Sequence, residues 1–167
     1  HNTGKLGGAL YLKGHANINN STFTKNNATS NGGAINVYNV NVLSANPYTL
    51  NIKNSIFTDN IASSNGGAIA TQHIAVNNTT FTNNKAGAKG GAIHSANTVK
   101  TMPVNINNSK FTQNTAGTNG GAISLTSLSM ITNTNFTDNK AMTGGAIHGT
   151  TSNLTITNSN FNNNKAN

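Results

Sequence analysis

All six phenylalanines of the chain stand in one motif, Phe-x-x-Asn: Phe23/Asn26, Phe57/Asn60, Phe81/Asn84, Phe111/Asn114, Phe136/Asn139 and Phe161/Asn164. A second motif, Gly-Gly-Ala-Ile, begins at Gly32, Gly66, Gly90, Gly120 and Gly144, with Gly-Gly-Ala-Leu at Gly7. Phe precedes the first Gly by nine positions in four repeats and by eight in the fifth, and Phe follows Phe after 34, 24, 30, 25 and 25 residues. A unit of about 25 residues is too small to bury a core alone, so it must be covered by its neighbours. That is the signature of a solenoid.

Aligned on Phe, the repeats fall into columns. Five residues earlier stand Ile18, Ile52, Val76, Ile106, Ile131 and Ile156, and two further back Ala16, Leu50, Ile74, Val104, Ser129 and Leu154. A period of two with β-branched residues describes a strand with one buried face. Three before Phe the column is entirely Asn (Asn20, Asn54, Asn78, Asn108, Asn133, Asn158), the next is entirely Ser or Thr, and five after Phe it is entirely Ala. Parallel coils stacked about 4.8 Å apart would set like on like. Phe and Ile would fill the bore, and Asn would take left-handed turns or bond Asn to Asn along the stack. Gly-Gly would turn a corner that has no room for a Cβ. The expected fold is all-β: a parallel β-helix of about six and a half coils, roughly 30 Å long.

Composition narrows the chemistry. The 167 residues (17.2 kDa) suit one domain spanning 1–167, and include 35 Asn and 24 Thr but no Cys, Trp or Arg. The acids are Asp59 and Asp138 alone, against ten Lys, for a net charge of +8. Two acids and no Arg leave little for paired-carboxylate hydrolysis, a bidentate phosphate clamp or a calcium cage, and no Cys means no disulfide or zinc-thiolate site. Asp59 and Asp138 share a column three coils apart, about 14 Å, beyond the roughly 5–9.5 Å of glycosidase pairs. His94 and His148 share another column about 10 Å apart, too far for one metal, and His15 and His73 lie in connecting regions. The expectation is therefore no enzyme, no cofactor and no metal. The lysines are scattered singly without interleaved aromatics, which argues against nucleic acid, and no apolar run is long enough for a membrane helix.

Two repeats carry insertions, near 39–48 and 98–103, both between the Gly-Gly-Ala-Ile strand and the next Ile strand. They hold the chain's two prolines, Pro47 and Pro103. Such insertions become loops on one face, often the binding face. Tyr38, Pro47, Tyr48, Lys100 and Pro103 are the candidate ligand-loop residues, and plain tolerated insertions are the alternative. The Thr column after Phe (Thr24, Thr58, Thr82, Thr112, Thr137) would point outward if Phe points inward, in the manner of an ice-binding ladder or simply as good strand formers. Asn27, Asn77, Asn107 and Asn153 are candidate glycosylation sites. The sequons at Asn20, Asn78 and Asn135 are weaker candidates, since a ladder or a place beside Phe would hide them.

The paired Phe-x-x-Asn and Gly-Gly-Ala-Ile motifs resemble the repeats of the chlamydial polymorphic outer-membrane proteins. The Asn/Thr richness, with Lys and no Arg, resembles the large adhesin-like surface proteins of methanogenic archaea. The resemblance runs from Gly7 to Asn164 and implies a right-handed β-helix at a cell surface, used in attachment or surface architecture, with no catalytic residues to transfer. The sequence contains neither the autotransporter barrel nor the hydrophobic anchor of the larger proteins.

The first Gly-Gly motif has no Phe-x-x-Asn before it and the last Phe-x-x-Asn has no Gly-Gly after it. An end-to-end homopolymer is therefore one expectation, the C-terminal half-coil of one copy completing the N-terminal half-coil of the next to give an extracellular filament. A segment of a larger surface adhesin, flanked by neighbouring repeats and binding protein or surface polysaccharide through its loops, is the other.

Overall fold

The computed structural model describes residues 1–38, 48–96, 103–150 and 153–167. Each coil contributes one short strand to each of four parallel sheets. The Ile sheet comprises Ala16–Asn19, Thr49–Lys53, His73–Asn77, Val104–Asn107, Ser129–Thr132 and Leu154–Thr157. The Phe sheet runs from Thr22–Thr24 to Asn160–Asn162, and the Ala sheet from Thr3–Gly4 and Asn27–Ala28 to Lys165–Ala166. The Gly-Gly corner then leads into the fourth sheet, from Leu10–Leu12 through Ile35–Val37, Ile69–Thr71, Ile93–Ser95 and Ile123–Leu125 to Ile147–Gly149. The chain is a right-handed parallel β-helix, the hand that parallel crossovers almost always take.

Register is strict. Phe57 pairs with Phe81, Phe81 with Phe111 and Phe111 with Phe136, and Ile52 pairs with Val76 in the same way. The Phe rings stack at 4.7–5.0 Å between centroids and within 10° of parallel. Isolated rings prefer offset or edge-on contacts, so the sheet spacing, not the rings, imposes this geometry. Phe57, Phe81, Phe111 and Phe136 are fully buried among Leu50, Ile69, Ile93, Ile106 and Ile123.

The Asn of Phe-x-x-Asn explains itself through its bonds. The backbone N–H and Nδ2 of Asn60 both donate to Oδ1 of Asn84, at 3.0 and 2.9 Å, while Nδ2 also donates to the carbonyl of Phe23 at 3.0 Å. Asn84, Asn114 and Asn139 repeat the arrangement. Both amide hydrogens and both acceptor positions are used, and no other side chain offers that set at that length. The ladder has a member outside the motif: Asn2, whose N–H and Nδ2 donate to Asn26 Oδ1 and which has no Phe three residues before it. The Ser/Thr column forms a second ladder, in which each hydroxyl accepts the N–H of the preceding coil's member and donates to the carbonyl two residues back (Ser55 Oγ to Lys53, 2.7 Å).

The other Asn column is different. Asn20, Asn54, Asn78, Asn108, Asn133 and Asn158 all lie at φ 48–50°, taking the left-handed turn between the Ile and Phe sheets, and their side chains are exposed with irregular bonding. Their accessibility corrects the expectation that a ladder hides Asn20 and Asn78; Asn135 is exposed too. A second left-handed turn, two residues after Phe, falls on Lys25, Asp59, Asn83, Gln113, Asp138 and Asn163. At the Gly-Gly corner the first glycine needs positive φ (+65° at Gly66), and a Cβ on the second, Gly67, would overlap the carbonyl oxygen of Gly91 in the next coil.

Candidate functional site

The two insertions leave the same corner of the helix. The longer departs after Ile35–Val37 and returns at Thr49–Lys53, and the shorter departs after Ile93–Ser95 and returns at Val104–Asn107. Ile69–Thr71 pairs with both departing strands, so the departures are two coils apart, as their spacing predicts. Pro47 and Lys100 lie outside the described residues, as do most of the two insertions. Of the other loop candidates, Pro103 is half-buried at the return of the shorter insertion. Tyr48 is half-buried and meets His15 edge-on at 5.6 Å, while His15 Nδ1 accepts the N–H of Thr49 at 3.2 Å. Tyr38 is exposed and lies 6.2 Å from Tyr11, over which Lys13 Nζ sits at 5.8 Å.

Between the two departure points the outer face of the fourth sheet sinks into a groove of about 360 Å³. The cause is legible in register. The outward row reads Tyr11, Asn36, Ala70, His94, Ser124, His148, and Ala70 leaves a gap between two larger neighbours. Asn31, Asn36, Tyr38, Asn65, Gln72 and His94 stand around it. Asn65 is tied down, donating to Asn31 Oδ1 and accepting the N–H of Lys89. Two polar atoms are not: His94 Nδ1 and Gln72 Oε1 are buried without a hydrogen-bond partner. His94 is 9% exposed, and burial, aided by the charge of Lys89, lowers its pKa from 6.5 to about 4, so the imidazole is neutral at pH 7. The sequence placed His94 in a shared column but gave no sign of the groove, because the gap depends on Ala70 one coil away.

Other candidates are dispersed. Asp59 and Asp138 both sit in left-handed turns of the Phe–Ala corner, where Asp59 Oδ1 accepts Asn83 Nδ2 at 2.6 Å. His73 is buried at the start of an Ile-sheet strand. Among the described residues no three His, Asp or Glu gather as metal ligands, and no helix is long and apolar enough to cross a membrane. Of the Thr row, Thr24 is exposed and Thr58, Thr82, Thr112 and Thr137 are half-buried, with Thr112 Oγ1 buried without a partner. Of the candidate glycan acceptors, Asn153 is exposed, whereas Asn27, Asn77 and Asn107 are half-buried in or at the ends of strands.

The end faces carry open edges. At the C-terminal face Phe161 and Ile156 are 46% and 41% exposed, and at the other Leu10, Ile18 and Phe23 are only partly buried. The Ala sheet has seven strands where the others have six, because Thr3–Gly4 precedes the first full coil. Seating Ile18 on Ile156 and Phe23 on Phe161 of another copy would bring Asn2–Gly4 and Asn164–Ala166 into one slot.

No curated protein and no solved structure matches the chain. The Chlamydia polymorphic membrane protein (Chlamydia_PMP) repeat matches it five times, at residues 20–38, 54–72, 78–96, 108–126 and 133–150. Each match opens at a left-handed Asn, crosses the Phe and Ala sheets and the Gly-Gly corner, and stops just after the fourth-sheet strand, at the corner from which two coils send out their insertions. Covering more than half of the residues with the same corner geometry each time, these matches show that the chain belongs to the Chlamydia polymorphic membrane protein repeat family.

Proposed function

We propose that the chain is a non-catalytic, surface-associated scaffold that holds one variable corner out for attachment. The observation that carries this reading is the confinement of both insertions to a single corner, beside a groove with unpartnered polar atoms, while the two turns that flank the Phe sheet keep one length and the Gly-Gly corner varies by a single residue. Membership of a family named for membrane proteins supports the surface setting. Archaeal-type adhesin character rests on composition alone, and surface polysaccharide is the partner class that a polar groove beside that corner suits.

The head-to-tail filament is the second reading. The coil-to-coil register of the four parallel sheets supports it, since a further coil could continue each of them.

The test uses cells that make the protein. Antibody raised to the chain should label them intact and lose its label after brief external proteolysis. Replacing residues 39–47 and 97–102 with Gly-Ser of equal length should abolish attachment to polysaccharide-coated surfaces and leave labelling unchanged. Failure to label intact cells, or attachment that survives the replacement, would overturn the reading. Fibres in negative-stain micrographs of the purified chain, forming with or without the native loops, would favour the filament instead.

A further inference from the structure

The groove beside Tyr38 offers a specific chemistry. Its orphan atoms are Gln72 Oε1, which can only accept a hydrogen bond, and Nδ1 of His94, a neutral ring nitrogen. A ligand in the groove that satisfies both must therefore donate to the first while meeting the second. Hydroxyl groups do both. A carboxylate or a phosphodiester can only accept and would meet Gln72 Oε1 with repulsion. A metal ion would find no carboxylate, and the charge of Lys89 close enough to depress the neighbouring imidazole. The rim adds Tyr38, an exposed ring braced against Tyr11 at an angle of 34°, whose face suits the C–H side of a sugar. The volume, equal to about a dozen liquid waters, is of the small-ligand class.

We infer that this groove binds a neutral saccharide unit, stacked on Tyr38, with its hydroxyls bonded by Gln72, His94 and Asn36. The inference rests on the attachment reading and names the ligand class for that corner. Ala70 is the floor that makes the site, so a larger residue there closes it.

The experiment is a titration of the purified full chain, by nitrogen–proton NMR, with the methyl glycosides of glucose, galactose, mannose and N-acetylglucosamine. Concentrations run to about 10 mM, tenfold above a Kd of about 1 mM. At least one glycoside should saturably shift the Gln72 side-chain amide and the His94 ring resonances. Tyr38→Ala should weaken that binding about tenfold, the size of one ring contact. Ala70→Leu should abolish it; should that variant unfold, the exposed Tyr38 decides the matter alone. No saturable shift with any of the four glycosides, shifts with inorganic phosphate instead, or binding unchanged in Tyr38→Ala would each overturn the site. A chain whose loop replacement loses attachment while no glycoside shifts Gln72 would sink the groove and leave the attachment reading standing.

Discussion

The Phe–Ala corner and the corner that carries the insertions are built from one chain under opposite rules. At the Phe–Ala corner the distance from Phe to the ladder Asn never changes, because the Asn must meet a carbonyl behind it and an Asn ahead of it at about 3 Å. At the other corner the path from the fourth sheet to the Ile sheet takes up about ten extra residues in one coil and about six in another, while Ile69 still pairs with Ile35 and Ile93. A corner whose hydrogen bonds run coil to coil through side chains cannot take an extra residue. A corner that closes only a loop pays about 0.6 kcal/mol for each doubling of length. Length variation collects where the Asn ladder does not reach.

The strongest way to break this comparison is to give both corners the same insult. A Gly-Ser pair inserted between Asn83 and Asn84 removes Asn84 from both neighbours and orphans the Asn60 amide and the Phe57 carbonyl. At about 1–3 kcal/mol for each buried group left unmet, the loss should exceed about 5 kcal/mol and unfold the adjoining coils. The same pair inserted between Val99 and Lys100 should cost less than about 0.5 kcal/mol. Urea midpoints separate the two, and equal losses would refute the contrast.

Position along the stack sharpens it next. Phe81→Ala empties a bore slot between two rings at 4.9 and 4.7 Å and should cost about 4 kcal/mol. Phe161→Ala, at a face already 46% exposed, should cost about 1 kcal/mol. Comparable losses would mean that the end coil is covered in solution.

How far the sequence discloses this follows from which constraints repeat. The Phe, Ile and buried Asn columns are visible because each coil faces the same neighbours, so one physical demand is written six times. Asn2 escaped because no Phe precedes it, and the Ser/Thr hydroxyls because their bonds cross between coils at a position where either residue serves. The left-handed turn at Lys25, Asp59 and Gln113 stayed hidden since its residues share no type. The groove was least legible of all: it exists through the difference between Ala70 and its neighbours, and repetition cannot announce a difference.

His94 gives the variable corner a pH signature of its own. Its pKa falls from 6.5 unfolded to about 4 folded, because burial, and secondarily Lys89, penalise the charged ring. The unfolded chain therefore binds the extra proton first. This contribution is whole above pH 6.5 and is lost as pH falls from 6.5 towards 4. The native chain should lose roughly 2 kcal/mol over that window relative to His94→Gln, after allowance for solvent reaching the groove. Parallel pH profiles for the two chains would show that the ring titrates normally.

The smallest effect tests the ladder corner's own weak point. Gln113 holds φ at 57°, as does Lys25 at 55°, in a turn that other coils give to Asn or Asp. Every non-glycine residue there sets its Cβ near the following carbonyl, but Asn takes the left-handed region several times more readily because its short amide can bond the local backbone. Gln113 is exposed and no ladder passes through it, so shortening it disturbs nothing else. Gln113→Asn should stabilise the chain by about 0.5 kcal/mol and raise the urea midpoint slightly. Destabilisation would mean that the Gln113 side chain holds the turn through a contact worth more than the strain, and the corner would then owe its fixed length to side chains on its outer surface as well as to the buried Asn.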